Sequence, residues 1–556
     1  MHTSFEVRCA DCIGFLPGRE VHVKLLKGIL VGGVMISASQ FFAQQAFVQR
    51  AFAEEDTSLE IRLLKAKLKQ LEQRVENQGR KEKQLEAQAN ASVKTPAAYK
   101  AALSAFDACP AGKVCYKGVT LTFGGWVDLA AIYRSRNIAS DTGSVYSSIP
   151  FAQSKNHNTQ EARFSARQSR FSLLAEGDVD TNTHLAGFGE IDFEGAAQTA
   201  NSVATNSFNP RMRQASLEVD RSDLGLHFLA GQSWSLNAPS KVGIDPRAVD
   251  APGVIDFESV PGFIAARQPG VRVWEDFGPE FKLALSAENA ATSFVGGNVP
   301  LVGTPAVGPQ GVLNPNLLVN LTGPGGSFFN NANNLSLNRV PDVTIKGAWD
   351  PRLGPNKLHV EAWALYRDFY DRFNFANHDV SNVSFGGHLA FDVVPRTLEA
   401  TFSAAYGALG RYTAAPFQDA TLRQDGSIQL LPITALQVGL VWHTTPSIDL
   451  YGYAGLEKTR ATFSNVGSVP FGYGNPLYNN TGCNIENSPA ATCNGNTSEV
   501  RQYTVGFYDT LLKGSYGAIR IGAQYSYNQR SAFEGVGGAP KTDDHIVMTQ
   551  VRYYPF

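Results

Sequence analysis

The sequence predicts an all-β protein, a transmembrane antiparallel β-barrel of about 16 strands that follows an N-terminal α-helical coiled-coil segment. Three observations lead to this fold class. The N-terminus has the features of an export signal, the chain from residue 119 onward alternates apolar and polar residues between short turns and long loops, and the chain ends on a strand. Short turns at one end and long loops at the other are typical of membrane β-barrels.

The first 53 residues have the order of charged and apolar regions that an export signal requires. Lys24 and Lys27 precede the apolar run 28–36, and the small-residue site Ala51-Phe52-Ala53 follows. The alternative is a buried helix of a soluble protein, but the acidic, polar sequence after Ala53 suits a mature N-terminus better. We therefore expect residues 1–53 to be removed on export to the cell envelope.

Residues 54–90 have the spacing of a coiled coil. The apolar residues follow each other in steps of three and four, with charged and polar residues between them: Ile61, Leu64, Leu68, Leu71 and Val75. So short a seam is marginal alone and is more stable when several subunits bring copies together. A single solvated amphipathic helix is the alternative.

Residues 91–118 have the composition of a linker, and they contain the first of two local cysteine pairs. Cys109 and Cys115 are six positions apart, and Cys483 and Cys493 are ten apart. In an oxidising compartment each pair would close a small loop as a disulfide. No nearby His or Cys completes a metal site, so the sequence predicts neither a metal nor another cofactor.

The segment 119–556 is the predicted outer-membrane barrel. Seven short breaks look like tight turns, near residues 177–180, 221–223, 276–279, 350–355, 394–396, 445–447 and 512–514. Eight long Asn/Gly/Ser/Pro-rich stretches lie between them, near residues 136–160, 196–210, 235–266, 291–340, 372–383, 408–430, 464–499 and 531–543. Seven turns and eight loops join sixteen strands, an even number that places both barrel termini on the turn side, which is the periplasm in this architecture.

The last strand carries an aromatic C-terminus. Tyr554 and Phe556 are predicted to share one face at the lipid interface, where membrane barrels have aromatic girdles. An aromatic C-terminus also resembles the signal that the barrel-assembly machinery recognises, so this machinery is an expected partner. Lipid and lipopolysaccharide of a Gram-negative outer membrane would surround the barrel.

Several basic residues are expected to face the lumen. Arg170 alternates with apolar Phe171, Arg272 lies between two valines, and Lys346 follows Ile345. An arginine that faced lipid near the midplane would cost about 2–4 kcal/mol, so these side chains should point inward. Arg167 and Arg267 belong to the same basic segments near strand ends. The alternative is that these arginines pair with lumenal carboxylates and brace the wall.

Other functions find little support in the sequence. The net charge of −2 argues against nucleic acid as the main partner. No HExxH, GxSxG or P-loop pattern occurs, so an enzyme is not predicted. A basic lumen favours carboxylate-bearing solutes, because the planar guanidinium donates two hydrogen bonds at once.

Four short motifs resemble the DcaP-like porins. They are Arg167-Gln168-Ser169-Arg170-Phe171-Ser172-Leu173, Gly231-Gln232-Ser233-Trp234-Ser235, Arg267-Gln268-Pro269-Gly270-Val271-Arg272 and Arg339-Val340-Pro341-Asp342-Val343. The resemblance covers essentially all of the mature chain. It implies a homotrimer of sixteen-stranded barrels, a periplasmic coiled coil, and passive uptake of anions such as dicarboxylates and aromatic acids. By this resemblance Arg167, Arg170, Arg267 and Arg272 line the pore.

The sequence analysis thus ends on a passive outer-membrane pore for small anions. Two alternatives stay open: a barrel that anchors an envelope-tethering coiled coil, and a cation- or sugar-selective porin.

Overall fold

The chain forms a closed antiparallel β-barrel. The computed structural model describes residues 69, 109–110, 112–195, 209–256, 260–292, 317–318, 338–373, 375–415, 417–423 and 427–556. Nineteen strand segments belong to one sheet. Two of these are short additions at the rim, and two others lie end to end along the same neighbour as one interrupted strand, so the barrel wall has the sixteen strands that the sequence predicted.

We number the wall strands in chain order. They are β1 Val119–Arg134, β2 Glu161–Ser165 with Arg170–Asp178, β3 Thr183–Gly195, β4 Asn209–Arg221, β5 Leu226–Trp234, β6 Arg267–Phe277, β7 Phe281–Glu288, β8 Asp342–Trp349, β9 Leu358–Phe373, β10 Ala376–Val394, β11 Leu398–Gly407, β12 Ile433–His443, β13 Ile448–Thr459, β14 Thr497–Gly514, β15 Gly517–Ala532 and β16 Lys541–Tyr554. Each strand pairs with the next, and β16 pairs with β1 from Val127↔Tyr553 to Arg134↔Ile546, which closes the barrel.

Side chains alternate between an apolar outer face and a polar inner face. On β7, Phe281, Leu283 and Leu285 point outward and are 40%, 38% and 51% exposed. Ser286 and Glu288, on the other face of the same strand, are buried inside the barrel. Because lipid can cover an apolar outer face and water can solvate a polar lumen, this pattern is that of a membrane-spanning barrel.

The seven tight turns lie where the sequence predicted them, and they join consecutive strands at one end of the barrel, which we call the turn end. One predicted loop is wrong. Residues 372–383 continue the hairpin of β9 and β10, and only positions 374 and 375 fall between the two strands. The polar sequence is satisfied by pairing across the hairpin, where His378 Nδ1 lies 2.9 Å from the Asp371 carboxylate.

The opposite end of the barrel, the loop end, contains the long connections. Loop 3 (235–266) folds into the lumen. Loop 6 (408–432) contains a short ladder, Ala420–Leu422 with Ile428–Leu430, and loop 7 (460–496) contains another, Thr462–Val466 with Val469–Tyr473. The last loop is shorter than predicted, because β15 extends to Ala532 and β16 starts at Lys541.

The chain just before the barrel is partly described. Lys113–Tyr116 forms a short strand that pairs with the first residues of β1, so this part of the predicted linker adds to the sheet. Cys109 is bonded to Cys115 beside it, and Cys483 is bonded to Cys493 in loop 7. The predicted export segment 1–53 lies outside the described residues, as does the predicted coiled coil 54–90 apart from Lys69, which is helical.

Candidate pore-lining site

Loop 3 reaches the opposite wall of the barrel. It leaves from β5 and returns to β6, yet the backbone N–H of Gly262 donates to the Glu457 carboxylate on β13 at 2.8 Å. The N–H of Ile255 donates to Gln524 on β15 at 2.6 Å. In a sixteen-stranded ring β13 lies about halfway round from β5, so loop 3 crosses the lumen and divides it into a loop-end part and a turn-end part.

The carboxylate of Glu457 holds loop 3 against loop 6. Besides the Gly262 bond, it accepts hydrogen bonds from the backbone N–H groups of Ala414 at 2.9 Å and Ala415 at 2.7 Å. A carboxylate that accepts several backbone N–H bonds makes charge-assisted contacts that are stronger than neutral ones. Glu457 therefore joins both loops to the wall strand β13 through three hydrogen bonds.

Two of the basic residues that the sequence predicted as pore-lining are covered by loop 3. Lys346 is 1% exposed, donates to the carbonyl oxygen of Ala238 at 2.8 Å, and forms an ion pair with Glu361 at 2.6 Å. Arg272 is 5% exposed and donates to the carbonyl oxygen of Trp234 at 2.6 Å. Both side chains point inward as predicted, but they support the root of loop 3, so the interpretation that they face the open lumen is wrong.

Arg167 and Arg267 have bracing contacts. Arg167 lies in the break between the two segments of β2, donates to the carbonyl oxygen of Phe193 at 3.1 Å, and pairs with Asp141 of the first loop at 3.2 Å. The Arg267 guanidinium lies 4.4 Å from the centre of the Trp234 ring. For Arg167, the structure thus shows the pairing with carboxylates that the alternative interpretation anticipated.

Arg170 belongs to a cavity on the turn-end side of loop 3. This cavity has a volume of about 240 Å³, and its lining includes three arginines, Arg170, Arg520 and Arg552, together with Trp126, Tyr451, Tyr508 and residues 251–254 of loop 3. The guanidinium of Arg170 lies 4.4 Å, and that of Arg552 4.5 Å, from the centre of the Trp126 ring.

The three arginines differ in how far their charge is compensated. Arg552 pairs with Asp128 at 2.9 Å, and Arg170 lies 3.7 Å from Glu190. Arg520 stacks on Tyr508 at 4.0 Å but forms no hydrogen bond or ion pair with any residue that the structure describes, and its Nε is buried. Asp449 also lines the cavity and lies 2.6 Å from His443, so Arg520 is the guanidinium of this cavity whose charge no carboxylate pairs in the described structure.

Arg520 and Arg552 were missed by the sequence analysis, although the same signal was present. Arg520 lies between Ile519 and Ile521, and Arg552 lies between Val551 and Tyr553. An arginine flanked by apolar residues in a barrel strand points into the lumen, because its neighbours face lipid. Tertiary structure was needed to bring these two strands next to Arg170.

The C-terminal aromatic residues do not share a face. The Tyr554 ring lies 5.8 Å from lumenal Trp126, whereas the Phe556 ring lies 6.1 Å from Phe123, which is exposed on the outer face. The strand ends at Tyr554, and the two ring contacts lie on different faces, so the prediction of a common lipid-facing side is wrong for Tyr554. The role of Tyr554 and Phe556 as an assembly signal stays a prediction.

None of the helices among the described residues has the length and apolar character needed to cross a bilayer. Within the same part of the chain, no three His, Cys, Asp or Glu side chains are grouped so that they could hold a metal ion.

The closed barrel, the apolar outer face and the inward loop define the class of transmembrane β-barrels with a constricted lumen. Within this class, the fold is similar to that in the crystal structure of the outer membrane channel DcaP of Acinetobacter baumannii. The TM-score is 0.54 at 18% sequence identity, and the alignment covers 80% of this chain and 100% of that chain. The resemblance drawn from the sequence motifs is thus confirmed at the level of the fold.

Other solved structures give lower TM-scores. An anion-selective porin from Comamonas acidovorans gives a TM-score of 0.40 at 10% identity over 78% of this chain and 99% of that chain. Pseudomonas putida OprB gives 0.41 at 10% identity over 78% of this chain and 94% of that chain. No protein-family model and no curated protein matches the sequence.

Proposed function

We propose that this protein is an outer-membrane porin through which small, preferentially anionic solutes diffuse passively into the periplasm. The observation that carries the proposal is the cavity on the turn-end side of loop 3, where Arg170, Arg520 and Arg552 meet inside a closed barrel. Selectivity in a pore needs like charges at a constriction and requires no nucleophile, metal or cofactor. We accordingly propose a transport role without catalysis.

The solutes that fit this cavity best are carboxylates with an apolar or aromatic body. A guanidinium can bind a carboxylate through two parallel hydrogen bonds, and the unpaired Arg520 is available for such contacts. Trp126, Tyr451 and Tyr508 give the same cavity an aromatic wall. The resemblance to DcaP-like porins points to the same classes, dicarboxylates and aromatic acids.

Uptake through this cavity requires a defined orientation and assembly. We propose that the turn end faces the periplasm, with both barrel termini and the coiled coil 54–90 on that side, and that three chains assemble as a homotrimer. The apolar outer face would contact lipid and lipopolysaccharide. The barrel-assembly machinery would recognise the chain end at Tyr554 and Phe556. The trimer rests on the sequence resemblance and on the coiled-coil spacing.

Liposome swelling tests the proposed function directly. Proteoliposomes that contain the refolded protein should swell quickly in isosmotic succinate or benzoate, more slowly in a sugar of similar size, and slowest in a diamine. An equal rate for the sugar and the acids would favour a general or sugar-selective pore. Absence of swelling with a folded, inserted barrel would overturn passive diffusion and favour the envelope-anchor alternative.

A further inference from the structure

A second cavity lies at the loop end of the barrel, away from the one beside Arg520. Its walls come from the first loop, loop 6, loop 7 and the parts of β14 and β15 that lie at the loop end. Its volume is about 350 Å³. Cavities of roughly 300–1,000 Å³ are of the size that binds small organic molecules. The polar lining residues are Ser147, Gln418, Asn494, Asn496, Thr497 and Arg530.

Among the described residues of this lining, Arg530 is the only charged one. Its Nε donates to Thr497 Oγ1 at 2.8 Å and its Nη1 donates to the carbonyl oxygen of Ile149 at 2.8 Å. The guanidinium is also stacked 4.5 Å from the centre of the Phe151 ring. Its position is therefore fixed by neutral groups, while Nη2 donates to no residue that the structure describes.

Within the described part of the chain, no carboxylate compensates this charge. Among the described residues, no Asp or Glu oxygen lies within 4 Å of Arg530, and its titratable neighbour is the phenol of Tyr473. Burial raises the pKa of Tyr473, so the phenol stays neutral, and its hydroxyl already donates to the carbonyl oxygen of Thr497 at 2.8 Å. A partly buried guanidinium without a counter-ion is costly, and an anionic ligand would relieve that cost.

The remaining lining suits an organic anion. Asn496 already accepts from the backbone N–H of Gly474 at 2.9 Å, so its amide NH₂ is left to donate. Phe417, Tyr473 and Val500 supply an apolar wall on which the body of a ligand could pack.

We infer that this cavity is a second anion-binding site, which takes a small organic carboxylate at the loop end before it reaches loop 3. The carboxylate accepts hydrogen bonds from Arg530 Nη2 and from the Asn496 amide, and the apolar body packs against Phe417. This inference rests on the proposed uptake of anions, but binding at this cavity is independent of whether the barrel conducts. The Cys483–Cys493 disulfide stiffens one wall, because Cys493 and the residues after it line the cavity.

The test is to measure binding and its location without measuring transport. The probe is 4-bromobenzoate, titrated calorimetrically into the detergent-solubilised full barrel, with the bromine located by anomalous scattering in soaked crystals. We expect a bromine peak in this cavity in the wild type. We expect no peak at this position in Arg530→Gln, and loss of a binding step or at least a tenfold to hundredfold weaker affinity for it.

Two further variants keep the test decisive. Gln418→Glu keeps Arg530 and nearly the same side-chain shape but places a carboxylate in the cavity wall, so it should also abolish binding. Arg501→Gln is the matched control, because Arg501 is an exposed arginine on β14 with Glu499 as its own partner; it should bind like the wild type. A peak that persists in either cavity variant, or a wild-type cavity without bromine, would overturn the assignment. If Arg530→Gln fails to fold, Gln418→Glu decides alone.

Discussion

Replacement of Arg520 by Gln should reduce anion selectivity more than replacement of any other basic residue of the lumen. Arg520 lies on the cavity wall and has no ion-pair partner in the described structure, whereas Arg552 is paired with Asp128 and Arg170 lies near Glu190. Gln keeps a polar amide on a shorter side chain and removes the charge, so the main change at the cavity wall is electrostatic. The variant therefore isolates the electrostatic contribution.

The size of the effect follows from the geometry. A unit charge about 6 Å from a passing ion contributes about 0.7 kcal/mol in bulk water and about 2.8 kcal/mol at an effective dielectric constant of about 20. The charge attracts anions and repels cations, so its effect on their ratio is doubled, and salt screening reduces it. In a water-filled lumen we expect the anion-over-cation permeability ratio to fall by about threefold to tenfold.

The assay is the reversal potential of the reconstituted protein in a KCl gradient, measured for wild type, Arg520→Gln and Arg272→Gln. Arg272 is the matched control, since it also points inward but is covered by loop 3; its replacement should change the ratio by less than about twofold. The assignment of Arg520 to the open lumen would be refuted by either of two results. One is a change of the permeability ratio in Arg272→Gln that equals or exceeds that in Arg520→Gln, and the other is an unchanged ratio in Arg520→Gln.

Four other changes test separate parts of the structure. Glu457→Ala removes the acceptor of three backbone hydrogen bonds that hold loops 3 and 6. Denaturant titration should show a loss of at least about 3 kcal/mol of unfolding free energy, and single-channel recording should show larger conductance fluctuations. Lys346→Met leaves the buried Glu361 without its 2.6 Å ion-pair partner and should lower the free energy of unfolding by about 3 kcal/mol. An unchanged reversal potential in this variant would support a structural role for Lys346. Reduction of Cys483–Cys493 should speed proteolysis within loop 7 and leave KCl conductance unchanged, as gel analysis and bilayer recording would show. Deletion of residues 54–90 should weaken trimer formation, measured as mass in detergent, but keep conductance; loss of envelope stability in cells would instead favour a tether.

The barrel was predictable from the sequence because lipid and water impose a period of two on each strand. Val271 and Val273 are 47% and 42% exposed on the outer face, as the alternation around Arg272 indicated. The prediction failed at residues 372–383 because the ends of β9 and β10 carry no apolar alternation. There cross-strand polar pairs such as Asp371 with His378 stabilise the hairpin instead.

The site was only partly predictable, because alternation reports which way a side chain points and not what covers it. Arg272 and Lys346 point inward as expected, but loop 3 packs over both through contacts that depend on the folded loop. Arg520 could have been found by its apolar neighbours Ile519 and Ile521. The absence of an ion-pair partner for Arg520 in the described structure could not be predicted from the sequence, because it depends on which carboxylates the neighbouring strands bring near this side chain.

The measurement that tests the central claim most directly is the single-channel current of the wild-type protein in a planar bilayer under a KCl gradient. The structure predicts stepwise conductance with a reversal potential on the side of chloride permeation, because Arg520 presents a charge that no carboxylate pairs, within the described structure, to the cavity beside loop 3. A reversal potential on the potassium side, or a folded and inserted barrel that carries no current, would contradict an anion-selective porin.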